Sequence, residues 1–330
     1  MAMTRSVVLL VPGQGAQHPG MAVDLYHTHD GFRAAVDEVF ALWGGEGACI
    51  RADWLGTDPE IELDDLRRSQ PLLFALGYAL ATALRGEGIE PVALAGHSVG
   101  EVVAAVVAGV FRLHDAAEVL AERVAQLADG PPGGMLAVAA SVAEVIPYLD
   151  AEVHVGAVNA ARQIMLAGPS APLANTARRL RAAEITVRPV RTRNPFHSPV
   201  LEPYADRALP TLRRLPLAPP KVPVYSGYTG KLLTAAEATD PAFWAAQPAR
   251  PVYFAGALTA AAESGRHLFV ETGPGQSLTA LARRHPAVTA TGSRVLALLP
   301  PRAGGDAAKF TSTVAEIFAT TTPTSEALLP

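Results

Sequence analysis

The sequence predicts an α/β fold: a large unit built on a parallel sheet, interrupted by a smaller β-α-β-β-α-β unit. Three observations carry this expectation. Gly96-His97-Ser98-Val99-Gly100 lies between an apolar run, Pro91–Ala95, and an apolar helical pattern, Val102–Val110, the strand–turn–helix setting of a nucleophile elbow. Residues 7–11 and His267–Glu271 have strand length and stop at Pro12-Gly13 and at Thr272-Gly273-Pro274-Gly275, as buried strands feeding loops do. After the Pro/Gly cluster Asp129–Gly134 the rhythm shortens to small strands and helices, and from residue 194 the longer rhythm resumes.

The elements follow in order. Residues 7–11 form the first strand. Residues 70–85 are apolar nearly all round and long enough for a buried helix. The elbow strand and helix occupy 91–110, and a further helix spans 114–128. Met135–Ala140 reads as a strand. Ser141–Leu149 reads as a helix, with Ser141 as its cap and Glu144 three residues on. Val153–Asn159 and Gln163–Ala167 are short strands, Ala171–Glu184 a helix and Thr186–Val190 a last short strand. That order is the ferredoxin-like split pattern. Residues 222–226 form a strand, and Asp240–Leu258 is helical but broken by Pro248 and Pro251. After the 267–271 strand come a helix at 276–284, a strand at 296–299 and a helix at 306–318. The expected division is a discontinuous large subdomain, 1–131 and 194–330, a small subdomain, 132–193, and a frayed tail, 320–330.

Composition removes several classes of function. The 330 residues are 49% apolar and 18% charged, which fits a globular chain with a sizeable core. A net charge of −4 argues against a general nucleic-acid binder. The single cysteine, Cys49, allows no internal disulfide, and no CxxC metal spacing exists. The start, Arg5–Pro12, is too short an apolar run for a signal peptide, and no run reaches the roughly 18–20 residues of a membrane span. A cytoplasmic protein without a metal or bound cofactor is expected.

Ser98 needs a base, because a free hydroxyl is a weak nucleophile at neutral pH. His97 is adjacent, but on an elbow its side chain should turn away from the reacting face. His197 sits in Asn194-Pro195-Phe196-His197-Ser198-Pro199, a polar loop bracketed by prolines, which is a rigid mounting for a side chain. The N–H groups of the helix behind Ser98 are aimed to hold an oxyanion.

These residues resemble the acyltransferase family that includes malonyl-CoA:acyl-carrier-protein transacylases of fatty-acid and polyketide synthesis. The resemblance covers residues 6–300. It rests on Pro12-Gly13-Gln14-Gly15-Ala16-Gln17, Gln70-Pro71, Gly96–Glu101, Arg123, Asn159, Phe196-His197-Ser198, Phe243-Trp244…Gln247…Pro251–Phe254 and Glu271–Gly275. It implies a hydrolase-like large subdomain with a ferredoxin-like insert. It makes Ser98 the residue that takes the acyl group from coenzyme A, and His197 its base, oriented by a backbone carbonyl that maps to the loop at Gln247. The N–H of Val99 and the Gln14 region would form the oxyanion hole, and Arg123 would hold the free carboxylate of a malonyl group. Phe196 corresponds to the bulky residue associated with unbranched malonyl. The implied partners are acyl-CoA and the phosphopantetheine thiol of an acyl carrier protein; the chain is expected to be a monomer.

Blander placements stand beside these. Arg123 has Glu118 and Glu122 on its own helix, but that helix is rich in Ala, Val and Leu, which favours an inward side chain. Gln247 also fits a purely structural role, and Asn159 a turn. Arg193 and Asn194 depart from the family's usual small residue before Pro-Phe-His. Arg193 is compatible with narrowing the pocket, touching a carrier, or pointing outward. Arg178, Arg179, Arg181, Arg250 and Arg283 read as solvated surface, of which one or two suit an acidic carrier. Three other functions remain: transfer of acyl or aminoacyl groups between two carriers, a serine thioesterase or hydrolase, and a non-catalytic scaffold. The α/β-hydrolase chain order puts histidine late, whereas His197 is followed by a long stretch of chain.

Overall fold

The structure, a computed structural model, describes residues 6–321. Ten strands are present among them. The large sheet holds β1 (Ser6–Val11), β2 (Ala93–Gly96), β7 (Val224–Ser226), β8 (Lys231–Leu232), β9 (His267–Glu271) and β10 (Arg294–Ala297). The small sheet holds β3 (Gly133–Val138), β4 (His154–Ala160), β5 (Gln163–Pro169) and β6 (Val187–Pro189). The large sheet runs β10-β9-β1-β2-β7-β8, parallel except for the short edge strand β8. The small sheet runs β4-β5-β3-β6 and is antiparallel.

The central strand β1 is apolar on both faces because both are covered. Val7, Leu9 and Val11 pack into a core with Phe74 and Leu76 of the long helix Leu66–Gly86. Val8 and Leu10 pack on the other face with Phe254, Leu258 and Ala261 of the helix Phe254–Glu263. The small sheet has its own core, in which Leu136, Ile164 and Leu166 meet Leu173 and Leu180 of the helix Ser170–Ala182. The cap expected at Ser141 is a full capping box with Glu144.

The structure differs from the sequence reading in several places. The helices Val23–Thr28, Asp30–Leu42 and Gly44–Leu55, the short helical turns over 199–212, the strand Lys231–Leu232 and the helices Ala235–Ala238 and Pro286–Ala290 were not expected. The first three matter most. They cover the core through Phe32, Val36, Phe40 and Trp54. The last helix, Asp306–Thr321, continues through Thr320 and Thr321, where a frayed tail was expected to begin; the remainder of that tail, 322–330, lies outside the described residues. No helix among the described residues is long and apolar enough to cross a membrane.

Candidate active site

Four loops meet at the carboxyl edge of the large sheet, following β1, β2, β7 and β9. Open parallel sheets place ligands at this edge. Ser98 lies two residues beyond the end of β2, with φ 55° and ψ −124°, and immediately precedes the helix Val99–Val107. The flanking glycines are required by space. A Cβ on Gly96 would lie 2.3 Å from Glu101 Cα, and one on Gly100 would lie 2.2 Å from the Val11 carbonyl oxygen. The turn is therefore tight enough to lift the hydroxyl above the sheet.

His197 also has a left-handed backbone, φ 63°. Two non-glycine residues facing each other in this sparsely populated region mark a site over-determined by its surroundings. Ser98 Oγ lies 2.8 Å from His197 Nε2, and His197 Nδ1 lies 3.0 Å from the Arg250 carbonyl oxygen. A carbonyl only accepts, so Nδ1 carries the proton, Nε2 is bare, and Ser98 donates to it. Burial, then the neighbouring His97, push His197 down to about 4, and Arg123 adds to the same effect. The ring is thus neutral at pH 7, the state a base requires.

The orienting carbonyl comes from the loop expected at Gln247. Arg250, three residues further on where the chain leaves the turn 247–249, supplies the close contact, and the Gln247 backbone also hydrogen-bonds to His197. Pro248 fixes the same histidine through its own carbonyl, which accepts the His197 N–H at 2.7 Å. The Gln247 side chain is fully buried, and neither amide atom has a hydrogen-bond partner.

The loop after β1 lies against the elbow. A Cβ on Gly13 would lie 2.4 Å from the His97 carbonyl oxygen. Gln14 follows, its side chain held by Gln70 Nε2 at 3.3 Å and by the Asp64 carbonyl at 3.4 Å. The Gln14 and Val99 N–H groups find no hydrogen-bond acceptor among the described residues. The loop after β9 braces this arrangement, since a Cβ on Gly273 would lie 2.2 Å from Pro12 Cγ. Glu271, fully buried, accepts the N–H groups of Leu278 and Thr279 and so anchors the next helix.

Arg123, 5% exposed, projects inward from the helix Leu113–Ala128. One Nη donates to the Trp244 carbonyl at 2.9 Å, Nε has no partner, and no carboxylate pairs with the guanidinium among the described residues. Burial lowers its pKa from the ordinary arginine value, but a guanidinium keeps its proton. A buried, unpaired cation is costly unless an anion meets it.

A cleft of about 1040 Å³ opens from Ser98 and His197 between the two sheets, lined by Phe196, Met135 and Asn159 on one side and by Thr259 and Arg284 on the other. Asn159 is not a turn residue. It lies in β4 and accepts from His97 Nε2 at 2.9 Å, which ties the small sheet to the elbow.

Two expected specificity residues lie elsewhere. Arg193 is exposed, and its charge acts on Asp65 at the surface rather than in the cleft. Asn194 is buried, but its amide donates to the Leu127 carbonyl and so caps the end of the helix that carries Arg123. The polar residues there satisfy backbone and surface groups and do not line the cleft.

Two residues have roles that the sequence reading does not assign. Glu101, fully buried, accepts Ser226 Oγ at 2.6 Å and the Gly227 N–H at 2.7 Å, fixing the loop after β7. Burial pushes its carboxyl up to about 8. That loop carries Tyr228, whose ring centre is 5.9 Å from that of His197. A signal is present in the sequence: an aromatic residue between two glycines, directly after a buried strand.

A family model described as acyl transferase domain matches residues 8–323. The chain is 39% identical over 282 residues to a phenolphthiocerol/phthiocerol polyketide synthase protein of Mycobacterium tuberculosis, covering 85% of this chain and 19% of that protein. It thus spans about a fifth of that relative's length. Among solved structures it is similar to the acyl transferase domain of SpnD in complex with 2-(pent-4-yn-1-yl)malonyl, with a TM-score of 0.89, 32% identity, and coverage of 96% of this chain and 77% of that one. MCAT from Streptococcus pneumoniae shares the fold, with a TM-score of 0.81 at 22% identity over 94% of this chain and 100% of that one.

Proposed function

Because the chain belongs to the acyl transferase domain family, we propose that it moves a dicarboxylic acyl unit, malonyl, from coenzyme A to the phosphopantetheine thiol of an acyl carrier protein. Arg123 carries this reading: a buried guanidinium near enough for its charge to act on His197, with no carboxylate of its own among the described residues. A guanidinium fork suits a terminal carboxylate, and neutral acyl groups have nothing to offer it.

The chemistry follows from the geometry. His197 Nε2 takes the Ser98 proton as Oγ attacks the thioester carbonyl. The resulting oxyanion is held by the N–H groups of Val99 and Gln14, donors of a kind worth about 2.7–4 kcal/mol each. The carbon–sulfur bond breaks, and the proton on Nε2 goes to the departing thiolate. A carrier thiol then gives its proton to Nε2 and attacks the Ser98 ester; the bond between Oγ and the acyl carbon breaks, Nε2 returns the proton to Ser98 Oγ, and the carrier leaves with the acyl group as a thioester. Both halves use one base and one oxyanion site, so the exchange is ping-pong. The similar SpnD domain is in complex with a malonyl derivative, which agrees with a dicarboxylic acyl unit as the class.

Intact-protein mass spectrometry tests the proposal. Malonyl-CoA should load one malonyl group, absent in Ser98→Ala, that persists until carrier thiol is added and then moves to the carrier. Rapid release of free malonate would make the protein a hydrolase instead.

A further inference from the structure

The loop after β1 closes as a tight turn over Gly13–Ala16, in which the Ala16 N–H donates to the Gly13 carbonyl at 3.3 Å. Gln14 and Gly15 are its central residues, and Gly15 has a φ of 103°. A positive φ at the third residue of a turn is a geometry that glycine permits. Turns change type by rotating the peptide between their two central residues. Here that rotation would disturb Gln14, whose N–H is one of the two oxyanion donors.

The central peptide is pinned. Its N–H, on Gly15, donates to Gln17 Oε1 at 2.6 Å, and Gln17 Nε2 donates to Asp64 Oδ1 at 2.8 Å. The Asp64 carbonyl accepts Gln14 Nε2 at 3.4 Å, so both glutamine side chains reach the same residue. Asp64 lies in the loop between the helices Gly44–Leu55 and Leu66–Gly86, and that loop is itself anchored. The buried Asp53 carboxylate accepts the N–H groups of Glu60 and Ile61 at 2.9 and 3.0 Å. Arg68, also buried, donates to the carbonyls of Ile61 and Asp53 at 2.7 and 2.6 Å. Buried polar groups linked in this way rigidify the chain that they join. The other neighbour of the Asp64 carboxylate is Arg191 at 3.9 Å, whose side chain is 89% exposed; so solvated a pair contributes little.

We propose that Asp64 is a positioning residue for the oxyanion site: its carboxylate, relayed by the Gln17 amide, locks the turn that aims the Gln14 N–H. This rests on the acyl-transfer reading above, in which Gln14 is an oxyanion donor. Asp64 acts only through Gln17 and Gln14, both of which belong to the loop after β1, whereas Asp64 reaches it from outside.

Single-turnover kinetics on the full chain, with malonyl-CoA and then carrier thiol, tests the lock. Asp64→Ala should slow acylation of Ser98 about tenfold, a part of the roughly 10²–10³-fold that loss of a whole oxyanion donor costs. Discharge to the carrier should slow by the same factor, because both steps use one oxyanion site. The malonyl-CoA concentration at half-saturation should stay within about twofold, since the substrate's ground-state contacts are untouched. Gln17→Glu keeps the acceptor for Gly15 but sets two carboxylates face to face, and it should slow both steps at least as much. Adding Asp64→Asn to it exchanges donor and acceptor between the two side chains, and both rates should return to within about threefold of wild type. A merely structural bond would instead lower the melting temperature, or the amount of acyl-enzyme formed, and leave the rate constants unchanged. Unchanged rate constants in Asp64→Ala therefore overturn the inference. So does a double variant no faster than Gln17→Glu alone, or the slowing of one step without the other. A wild-type protein that forms no acyl-Ser98 at all would sink the acyl-transfer reading itself, whatever the variants do.

Discussion

His197 Nδ1 bonds to the carbonyl oxygen of Arg250, and no carboxylate stands behind the ring among the described residues. A carbonyl fixes the tautomer without stabilising an imidazolium as an aspartate does. The base is therefore weak and, near neutrality, almost wholly in its reactive form. For acylation, kcat/KM should be flat through pH 6–8 and fall only as pH drops through about 4, where the free enzyme's base takes a proton. A pH–rate profile on malonyl-CoA checks this; an acid limb near 6.5 would contradict it.

Arg123→Ala should lower kcat/KM for malonyl by about 10²–10⁴-fold, as expected when one partner of a buried charge pair worth roughly 3–5 kcal/mol is removed. Acetyl transfer should hold or improve. The acid limb should also move upward, because the Arg123 charge helps to hold His197 down. Equal loss for both acyl groups would make the arginine structural.

Gly13→Ala drives a Cβ to 2.4 Å from the His97 carbonyl oxygen. The loop carrying Gln14 must retreat, and with it one oxyanion donor. The expected cost is about 10²–10³ in kcat for the chemical step, with little change in KM. Single-turnover acylation measures it directly.

The Glu101 carboxyl, raised to about 8, makes stability depend on pH. Its native pKa lies above its unfolded value, so between about 4.5 and 8 the native state holds a proton that the unfolded chain has released. Stability contributed by the protonated form is fully present below 4.5 and is lost as pH rises through 8. Glu101→Gln keeps an acceptor for Gly227 and does not titrate. Thermal unfolding from pH 5 to 8 should slope downward in the wild type and less steeply in the variant.

Asn194→Ala removes the donor to the Leu127 carbonyl. It should destabilise the fold by about 1 kcal/mol and leave the ratio of malonyl to methylmalonyl transfer unchanged. Arg193→Ala should alter neither. A shift in acyl preference in either variant would return these residues to the pocket.

What the sequence discloses depends on how local each cause is. Gly96, Ser98 and Gly100 announce a turn because the constraint lies within five residues, and the strand and helix beside them are legible by the same token. The unexpected helix Asp30–Leu42 is equally readable: Phe32, Ala35, Val36, Val39 and Phe40 recur at helical spacing and are all buried. The loop at Gln247 is legible by its prolines, but that Arg250 supplies the close carbonyl depends on how the Pro248 turn seats against a loop some fifty residues away. Asn194 resembles a pocket residue only because it is near His197 in sequence; in space its amide turns toward Leu127. Tyr228 needs the pairing of β2 with β7, a contact that no local pattern encodes.

Residues 250–252 join the base to the small sheet. Arg250 holds His197, and two residues later Val252 exchanges hydrogen bonds with β4, donating to the Gly156 carbonyl at 2.9 Å and accepting the Val158 N–H at 2.7 Å. A hinge that swung the small sheet away would pull on the histidine before it widened the slot. The cleft wall and the base thus share one short tether, so a displacement of the small sheet is carried to the His197 ring through two residues of chain.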